Sequence, residues 1–348
     1  MDFYKLTIQE IKRETPNAVT IQFNVPETLE KNFSFLAGQY VTLKVTLNGK
    51  ELRRAYSICA APKENKIQIG IKAVNKGVFS TFANETLKVG DLVEVSVPEG
   101  KFNFTPHPEA QKNYAAFAAG SGITPVYSIL KTILLEEPKS TIVLTYGNKT
   151  PEETIFHDEL IEIQQQYLGR FFVHFVYSQA NVADTFFGRI DRSVVNAVLK
   201  NKHTETSFDA FYLCGPEAMI NTVSGVLKEN NVSEKDIKFE LFGTAPSPEN
   251  LPATEGHTSV TILVDGEETT FEMSQKQTVL EAALKHGLDV PYSCQGGICS
   301  SCICKITDGN ATMKKNQILT DDEIAEGLTL SCQAVPTSTT LKIDFDNL

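Results

Sequence analysis

The sequence has no uninterrupted apolar run of about 18 residues or more, the length a helix needs to cross a bilayer, so no membrane span is expected. Its first residues, MDFYKLTIQEIKRETPNAV, show no basic segment followed by an apolar stretch. That excludes a secretory signal pattern there, and a cytoplasmic location is expected. Basic residues are not in excess either: 32 Lys and Arg stand against 43 Asp and Glu, a formal net charge of −11. Nucleic-acid binding depends on clustered cations, so that class of partner is excluded. Histidine is scarce, at six residues, and no pairing suggests an acid–base or nucleophilic dyad. His157, His174 and His286 read as structural or surface residues. Internal repeats and low-complexity tracts are absent.

What remains is an ordinary globular composition, 41% hydrophobic and 22% charged over 348 residues, enough for two or three domains. In the first hundred residues FYKLTIQEIK, AVTIQFNV, QYVTLKVTL, KIQIGIKAV and DLVEVSVP are rich in β-branched residues and separated by Gly, Pro and Asn. Close spacing without intervening helices predicts an antiparallel β-barrel over 1–108. The chain then changes character. NYAAFAAG, STIVLTYG, RFFVHFVYS and AFYLCG are unalternating apolar runs, as buried parallel strands require. They alternate with helix-compatible TPVYSILKTILLEE, TIFHDELIEIQQQY and PEAMINTVSGVLKEN, which predicts a Rossmann-like parallel α/β nucleotide domain over 109–243.

Residues 244–257, rich in proline and without apolar periodicity, are expected to be a linker. A third domain follows over 258–348, opening with SVTILVDGEETTFEM, where Asp265–Gly266 signals a tight hairpin turn. A helix candidate, TVLEAALKHG, follows and ends at Gly287. This domain carries thirteen acidic and six basic residues, so most of the excess negative charge lies here. The imbalance fits a solvated surface or a docking face for a basic partner.

Four of the seven cysteines carry the strongest chemical signal. Cys294, Cys299 and Cys302 fall in the pattern C-x4-C-x2-C, with 29 residues between Cys302 and Cys332. This is the ligand spacing of plant-type [2Fe–2S] proteins. Two bridged irons need four thiolates, and three can come from one loop only if it wraps tightly. Gly296 and Gly297 allow the close approach and tolerate positive φ. Their N–H groups and those of the adjacent serines can then point at the sulfurs and stabilise the reduced cluster. Zinc sites usually pair two short cysteine units, whereas Cys332 stands alone. Cys304 reads as a small core hydrophobe rather than a fifth ligand.

Arg54-Ala55-Tyr56-Ser57, at the start of a strand-like stretch, and Gly77-Val78-Phe79-Ser80, opening a helix candidate, carry a family resemblance. RxYS followed by GxxS resembles the flavin-binding pattern of the ferredoxin–NADP reductase family. The resemblance implies that Tyr56 lies against the FAD isoalloxazine, Ser57 reaches its N5 region and Arg54 pairs with the pyrophosphate. Gly77, Val78 and Ser80 would face the same phosphates, and Lys72, Val74 and Phe79 complete the implied FAD set. Gly120-Ser121-Gly122-Ile123-Thr124-Pro125, after an apolar strand, resembles the family's GxGITP stretch, with Thr124 and Pro125 on the nicotinamide. Tyr146-Gly147-Asn148-Lys149 resembles its YGNR element with Lys in place of Arg. Cys214-Gly215-Pro216 resembles its CGP motif, which puts Cys214 beside the reacting nicotinamide carbon. Phe242, in a segment ELFGT similar to the family's, would cover the flavin.

The order of flavin barrel, nucleotide domain and C-terminal ferredoxin, with a β-grasp fold implied for the last, resembles reductases of phenylacetyl-CoA epoxidase-type multicomponent oxygenases. The implied activity carries electrons from a nicotinamide dinucleotide through FAD to the [2Fe–2S] cluster and on to an oxygenase partner docked at the acidic C-terminal domain. NADPH is the expected donor, with NADH the alternative: Gln179 stands where NADPH-using relatives carry Arg, and Lys149 or Arg189 could substitute. Tyr56, Ser57 and Cys214 are the residues expected nearest the chemistry. The alternatives are a reductase for another hydroxylase or hybrid-cluster protein, or a ferredoxin-like carrier. The oligomeric state is not legible.

Overall fold

In the computed structural model, which describes residues 2–47, 49–242 and 256–348, the β-branched segments of the first hundred residues form six strands. These are β1 (Phe3–Thr15), β2 (Ala18–Asn24), β3 (Tyr40–Leu47), β4 (Lys50–Ser57), β5 (Ile67–Lys72) and β6 (Leu92–Ser96), with helix α1 (Val78–Glu85) between the last two. They form one sheet in the order β4-β3-β6-β1-β2-β5. The pairings β1–β2, β1–β6, β2–β5 and β3–β6 are antiparallel. An antiparallel bridge between Ile58, just after β4, and Ile69 of β5 joins the two ends of that order and closes the barrel. Alternate residues of each strand point inward, and Leu6, Ile8, Val19, Ile21, Leu43, Ile69, Val93 and Val95 fill the interior. The Arg54–Ser57 segment ends a strand instead of starting one. The polar run Lys50–Arg54 forms most of β4, at one end of the sheet order, and gives no apolar alternation to announce it.

The apolar runs of the middle region form a second sheet: β7 (Asn113–Ala119), β8 (Thr141–Asn148), β9 (Phe171–Tyr177), β10 (Phe186–Phe187), β11 (Ala210–Gly215) and β12 (Ile237–Leu241). Every pairing is parallel, and the order is β10-β9-β8-β7-β11-β12. The connections carry α2 (Ile123–Glu136), α3 (His157–Gln166), α4 (Arg192–Asn196) with a π-helical continuation over Ala197–Lys202, and α5 (Glu217–Glu229). Ala115, Phe117, Ile142, Leu144, Phe171 and Leu213 are buried, which is why these strands read as unbroken hydrophobic runs. Helix α3 starts three residues later than its apolar pattern suggests. Phe156, at φ 60°, holds a left-handed conformation that keeps Thr154–Phe156 out of the helix. From β7 the chain steps outward through β8 and β9, and then returns to place β11 on the other flank of β7. The order therefore reverses between β7 and β11, and in such sheets ligands bind beyond the carboxyl ends of the strands at that switch point.

Contacts divide the chain into two compact units: Phe3–Leu52 with Tyr56–Gly243, and Thr244–Leu348 with Met1–Asp2 and Arg53–Ala55. Residues 244–255 of the expected linker lie outside the described residues, and a strand already begins at His257. The C-terminal region holds β13 (His257–Val264), β14 (Glu267–Ser274), α6 (Val279–Lys285), β15 (Ile303–Met313), α7 (Asp321–Ala325), β16 (Leu328–Leu330) and β17 (Ala334–Asp344). Asp265 and Gly266, at φ 52° and 77°, make the tight turn between β13 and β14. Thr278 and Glu281 cap the start of α6 reciprocally. The sheet order is β14-β13-β17-β15-β16, with a parallel β13–β17 pair amid antiparallel neighbours and α6 packed on β17. Val260, Ile262, Val279, Ala283, Leu330, Leu341 and Ile343 make its core.

Candidate functional site

Four sequence motifs converge at the carboxyl edge of the parallel sheet. Gly120–Gly122 follows β7, Tyr146–Lys149 ends β8, Cys214–Pro216 ends β11, and Phe242 follows β12. The Tyr146 hydroxyl donates to the Gly120 carbonyl at 2.9 Å, which ties the first two turns together. Gly122 cannot carry a side chain, because a Cβ there would collide with the Cys214 carbonyl. That close approach lets the β7–α2 and β11–α5 turns sit side by side at the switch point. Thr124 is held by its hydroxyl bond to the Ser121 carbonyl at 3.0 Å. The Phe242 N–H reaches the Gly215 carbonyl at 3.2 Å. Ile123, Thr124 and Pro125 are buried in the first turn of α2. The Asn148 side chain is buried with its amide nitrogen toward the Tyr146 hydroxyl and no hydrogen-bond partner on its amide oxygen, as suits a group that meets a polar ligand.

The barrel supplies the flavin-type residues. Tyr56 and Ser57 end β4, and the Tyr56 ring lies 5.6 Å from Phe79 of α1. Arg54, two residues earlier, is exposed and donates to the Arg53 carbonyl at 2.7 Å. The turn before α1 is knitted by its own polar groups: the Val74 N–H donates to Ser80 Oγ at 3.2 Å and the Gly77 N–H to the Val74 carbonyl at 2.8 Å. A Cβ on Gly77 would stand 2.5 Å from Ser80 Oγ. Helix α1 has no side-chain cap, which leaves its first-turn N–H groups available to an anion, and Val74 and Val78 are 61% exposed beside it. This uncapped, glycine-opened turn with bare apolar flanks fits the pyrophosphate and rings of FAD. Lys72 lies 3.8 Å and Lys149 3.7 Å from one carboxylate, Glu153, so two predicted residues from different sheets share a partner. Burial pulls the Lys72 ammonium below its usual range, and Lys149 adds to the effect.

Glu240, which the motifs did not single out, sits beside Cys214 in the β11–β12 register. Its carboxylate accepts the Ser57 hydroxyl at 3.4 Å. Burial pushes the Glu240 carboxyl up to about 8, against the Ser57 hydrogen bond. Burial, reinforced by Glu240, holds the Cys214 thiol far above its usual range, so it stays protonated. Ser57, Cys214 and Glu240 thus form one buried group. In the sequence Glu240 opens the ELFGT segment, but the resemblance gave a role there to Phe242 alone.

The C-terminal region brings the four predicted cysteines together. Cys302 and Cys332 sulfurs lie 3.3 Å apart, and Cys299, Cys302 and Cys332 are each at most 6% exposed. The Gly296 N–H points at Cys294 Sγ at 3.3 Å. A hydrogen bond from Cys299 pulls the Cys294 thiol down, helped by the N–H groups of Gly296, Ile298 and Cys299. Cys332 is lowered by Cys302, with help from Gln333 and the Gly297 N–H. Gly297, at φ 70°, would place a Cβ 2.7 Å from the Lys315 carbonyl. The second left-handed residue of the loop is Gln295, at φ 54°, rather than Gly296. Gln333 braces the loop, donating to the Gln295 carbonyl at 3.0 Å and to Cys332 Sγ at 3.6 Å. The thiols stand as two contacting pairs, Cys294 with Cys299 and Cys302 with Cys332, and this thiol set with its amide donors suits an iron–sulfur cluster. Cys304 is fully buried in the core, its thiol 3.8 Å from the Thr329 carbonyl.

Family models match in the same order along the chain. An oxidoreductase FAD-binding domain matches residues 5–104, an oxidoreductase NAD-binding domain 117–225 and a 2Fe-2S iron-sulfur cluster binding domain 262–337. The chain is 37% identical to a subunit of the 1,2-phenylacetyl-CoA epoxidase of Escherichia coli K12, with 99% of this chain and 98% of that protein covered. It is 30% identical to the ferredoxin reductase component of 3-ketosteroid-9-alpha-monooxygenase of Rhodococcus rhodochrous, with coverages of 98% and 96%. Phthalate dioxygenase reductase, described as a modular structure for electron transfer from pyridine nucleotides to [2Fe–2S], superposes with a TM-score of 0.60 at 26% identity, covering 99% of this chain and 98% of its own. No helix among the described residues is long and apolar enough to cross a membrane.

Proposed function

The chain belongs to the family of FAD- and [2Fe–2S]-carrying reductases that includes this 1,2-phenylacetyl-CoA epoxidase subunit, and on that premise we propose that it supplies NADPH- or NADH-derived electrons to the oxygenase component of a phenylacetyl-CoA epoxidase. The observation that carries the proposal is the 37% identity to the epoxidase protein along the whole chain, all three domains included. Bound FAD exchanges two electrons with a nicotinamide and single electrons with a [2Fe–2S] cluster, so the three groups serve in series.

In this reading, residues 1–108 hold the flavin, 109–243 the nicotinamide dinucleotide and 258–348 the cluster, joined by a linker over 244–257. Tyr56 and Phe242 lie against the isoalloxazine, while Arg54, Lys72, Val74, Gly77, Val78, Phe79 and Ser80 hold the rest of FAD. Gly120, Gly122, Ile123, Thr124, Pro125, Tyr146, Gly147, Asn148, Lys149, Gly215 and Pro216 hold and orient the nicotinamide dinucleotide. Ser57, Cys214 and Glu240 hold protons in a buried cluster at the reacting end, Ser57 and Cys214 being the side chains that would touch the cofactors. Cys294, Cys299, Cys302 and Cys332 ligate the cluster. The exposed acids Asp321, Asp322 and Glu326 on and beside α7 offer a surface to a basic face of the oxygenase.

The test combines the purified chain with a phenylacetyl-CoA-epoxidizing oxygenase component, NADPH or NADH, and oxygen. Conversion of phenylacetyl-CoA in step with nicotinamide oxidation is expected. Robust ferricyanide reduction with no conversion would assign the electrons to a different acceptor.

A further inference from the structure

Away from the cofactor motifs, on the β9 side of the parallel sheet, two histidines far apart in sequence meet. His174 lies in the middle of β9, opposite Thr145 of β8, and His203 follows the π-helical segment Ala197–Lys202. Their Nε2 atoms are 2.8 Å apart and their rings are inclined at 58°. Both rings are half-buried and braced: His203 packs edge-on against Phe172 and Phe208, and His174 against Phe186. The His203 N–H, bonded to the Val198 carbonyl at 3.0 Å, fixes the backbone beneath its ring. We propose that His174 and His203 form a two-imidazole binding site for a divalent transition-metal ion of the Zn²⁺ type.

The geometry is near what such an ion needs. At a metal–nitrogen distance of about 2.0–2.1 Å, two imidazoles in adjacent octahedral positions stand about 2.9 Å apart, and in tetrahedral positions about 3.4 Å apart. The separation needs to widen by about 0.1 Å for octahedral or about 0.6 Å for tetrahedral positions, and each ring must turn so that its Nε2 lone pair meets the ion and not the other nitrogen. The protonation state is also favourable. Burial, with contributions from His203 and Lys202, pulls His174 down to about 4, and burial with Lys202 lowers His203 as well. The neutral imidazole is the form that binds metal. Without metal only one Nε2 can carry a hydrogen, and the pair is held by that single bond.

Among the described residues no third Cys, His, Asp or Glu joins the two, so water fills the remaining positions. Lys202, close enough to lower both histidines, tempers the affinity. An ion bound here would staple β9 to the chain entering β11, within the nucleotide half of the first unit.

The experiment is a calorimetric titration of the oxidised protein, with its flavin and cluster in place, by Zn²⁺. Wild type, His174→Gln, His203→Gln and, as a control at an exposed histidine, His107→Gln are compared. Flavin and cluster absorbance in each variant reports folding. One Zn²⁺ per chain is expected for wild type and His107→Gln, with binding at least tenfold weaker in the other two. No binding, or equal binding by all four proteins, overturns the proposal. Should either histidine variant fail to fold, pulsed EPR of Cu²⁺ added to the oxidised wild-type protein reads the same point. Coupling to two imidazole nitrogens supports the site, and Cu²⁺ without imidazole coupling rules it out.

Discussion

The Ser57 hydroxyl at the end of β4 donates to the carboxyl group of Glu240 in β12 at 3.4 Å, and both side chains are buried. A barrel residue and a parallel-sheet residue are thus locked together beside Cys214. The contact needs both sheets packed as one unit. It explains how a buried carboxyl is tolerated: near neutrality it keeps its proton and has a hydroxyl partner.

Burial raises the folded-state Glu240 carboxyl to about 8, above its ordinary value of 4.5. Between those values the folded chain holds a proton that the unfolded chain releases. This contribution to stability is complete below about pH 4.5 and is lost as pH rises through 8, by at most about 1.4 kcal/mol per pH unit. Glu240→Gln should therefore flatten the fall in stability between pH 5 and 8. Denaturant melts at both pH values check this, and an unchanged slope would mean that another group is responsible.

Gly122→Ala should be severe for so small a change. The new methyl group meets the Cys214 backbone rather than a flexible side chain. Overpacking of this kind costs about 1–3 kcal/mol. It should also spread the two turns that would hold the nicotinamide, raising the KM for the dinucleotide more than tenfold. Steady-state ferricyanide reduction and a thermal melt measure both effects.

Cys302→Ser should remove cytochrome c reduction while leaving ferricyanide reduction largely intact, because ferricyanide can take electrons from the flavin directly. Visible absorbance should keep the flavin bands and lose those of the cluster. Survival of both activities would show that the cluster is off the electron path.

Gln333→Leu tests how the loop tunes its cluster. It deletes an amide donor to Cys332 Sγ and to the Gln295 carbonyl. Amide donors favour the more negative, reduced state. The reduction potential should therefore become more negative in a redox titration followed by EPR, whereas a shift in the other direction would contradict this role.

Much of this architecture was legible in the residues. Three of the four cysteines are local and spaced by their chemistry, the β7–β9 runs are apolar because both faces are covered, and Asp265–Gly266 marks its own turn. What stayed hidden depends on topology or on polar composition. Glu240 acquires meaning only when β12 pairs beside β11 and the barrel presents Ser57. Strand β4 is largely polar, so period-two alternation could not announce it. Gln295, rather than Gly296, takes the left-handed position because Gln333 holds its carbonyl, a contact 38 residues away in sequence. His174 and His203 looked ordinary singly, since a meeting across 29 residues leaves no pattern.

The central claim is a directed path from nicotinamide through flavin to the C-terminal cluster. The most direct test is anaerobic addition of NADPH or NADH to the oxidised protein, followed by absorbance and EPR. Bleaching of the flavin together with one paramagnetic reduced [2Fe–2S] centre per chain is predicted. A flavin that bleaches while the cluster stays oxidised and EPR-silent would contradict it.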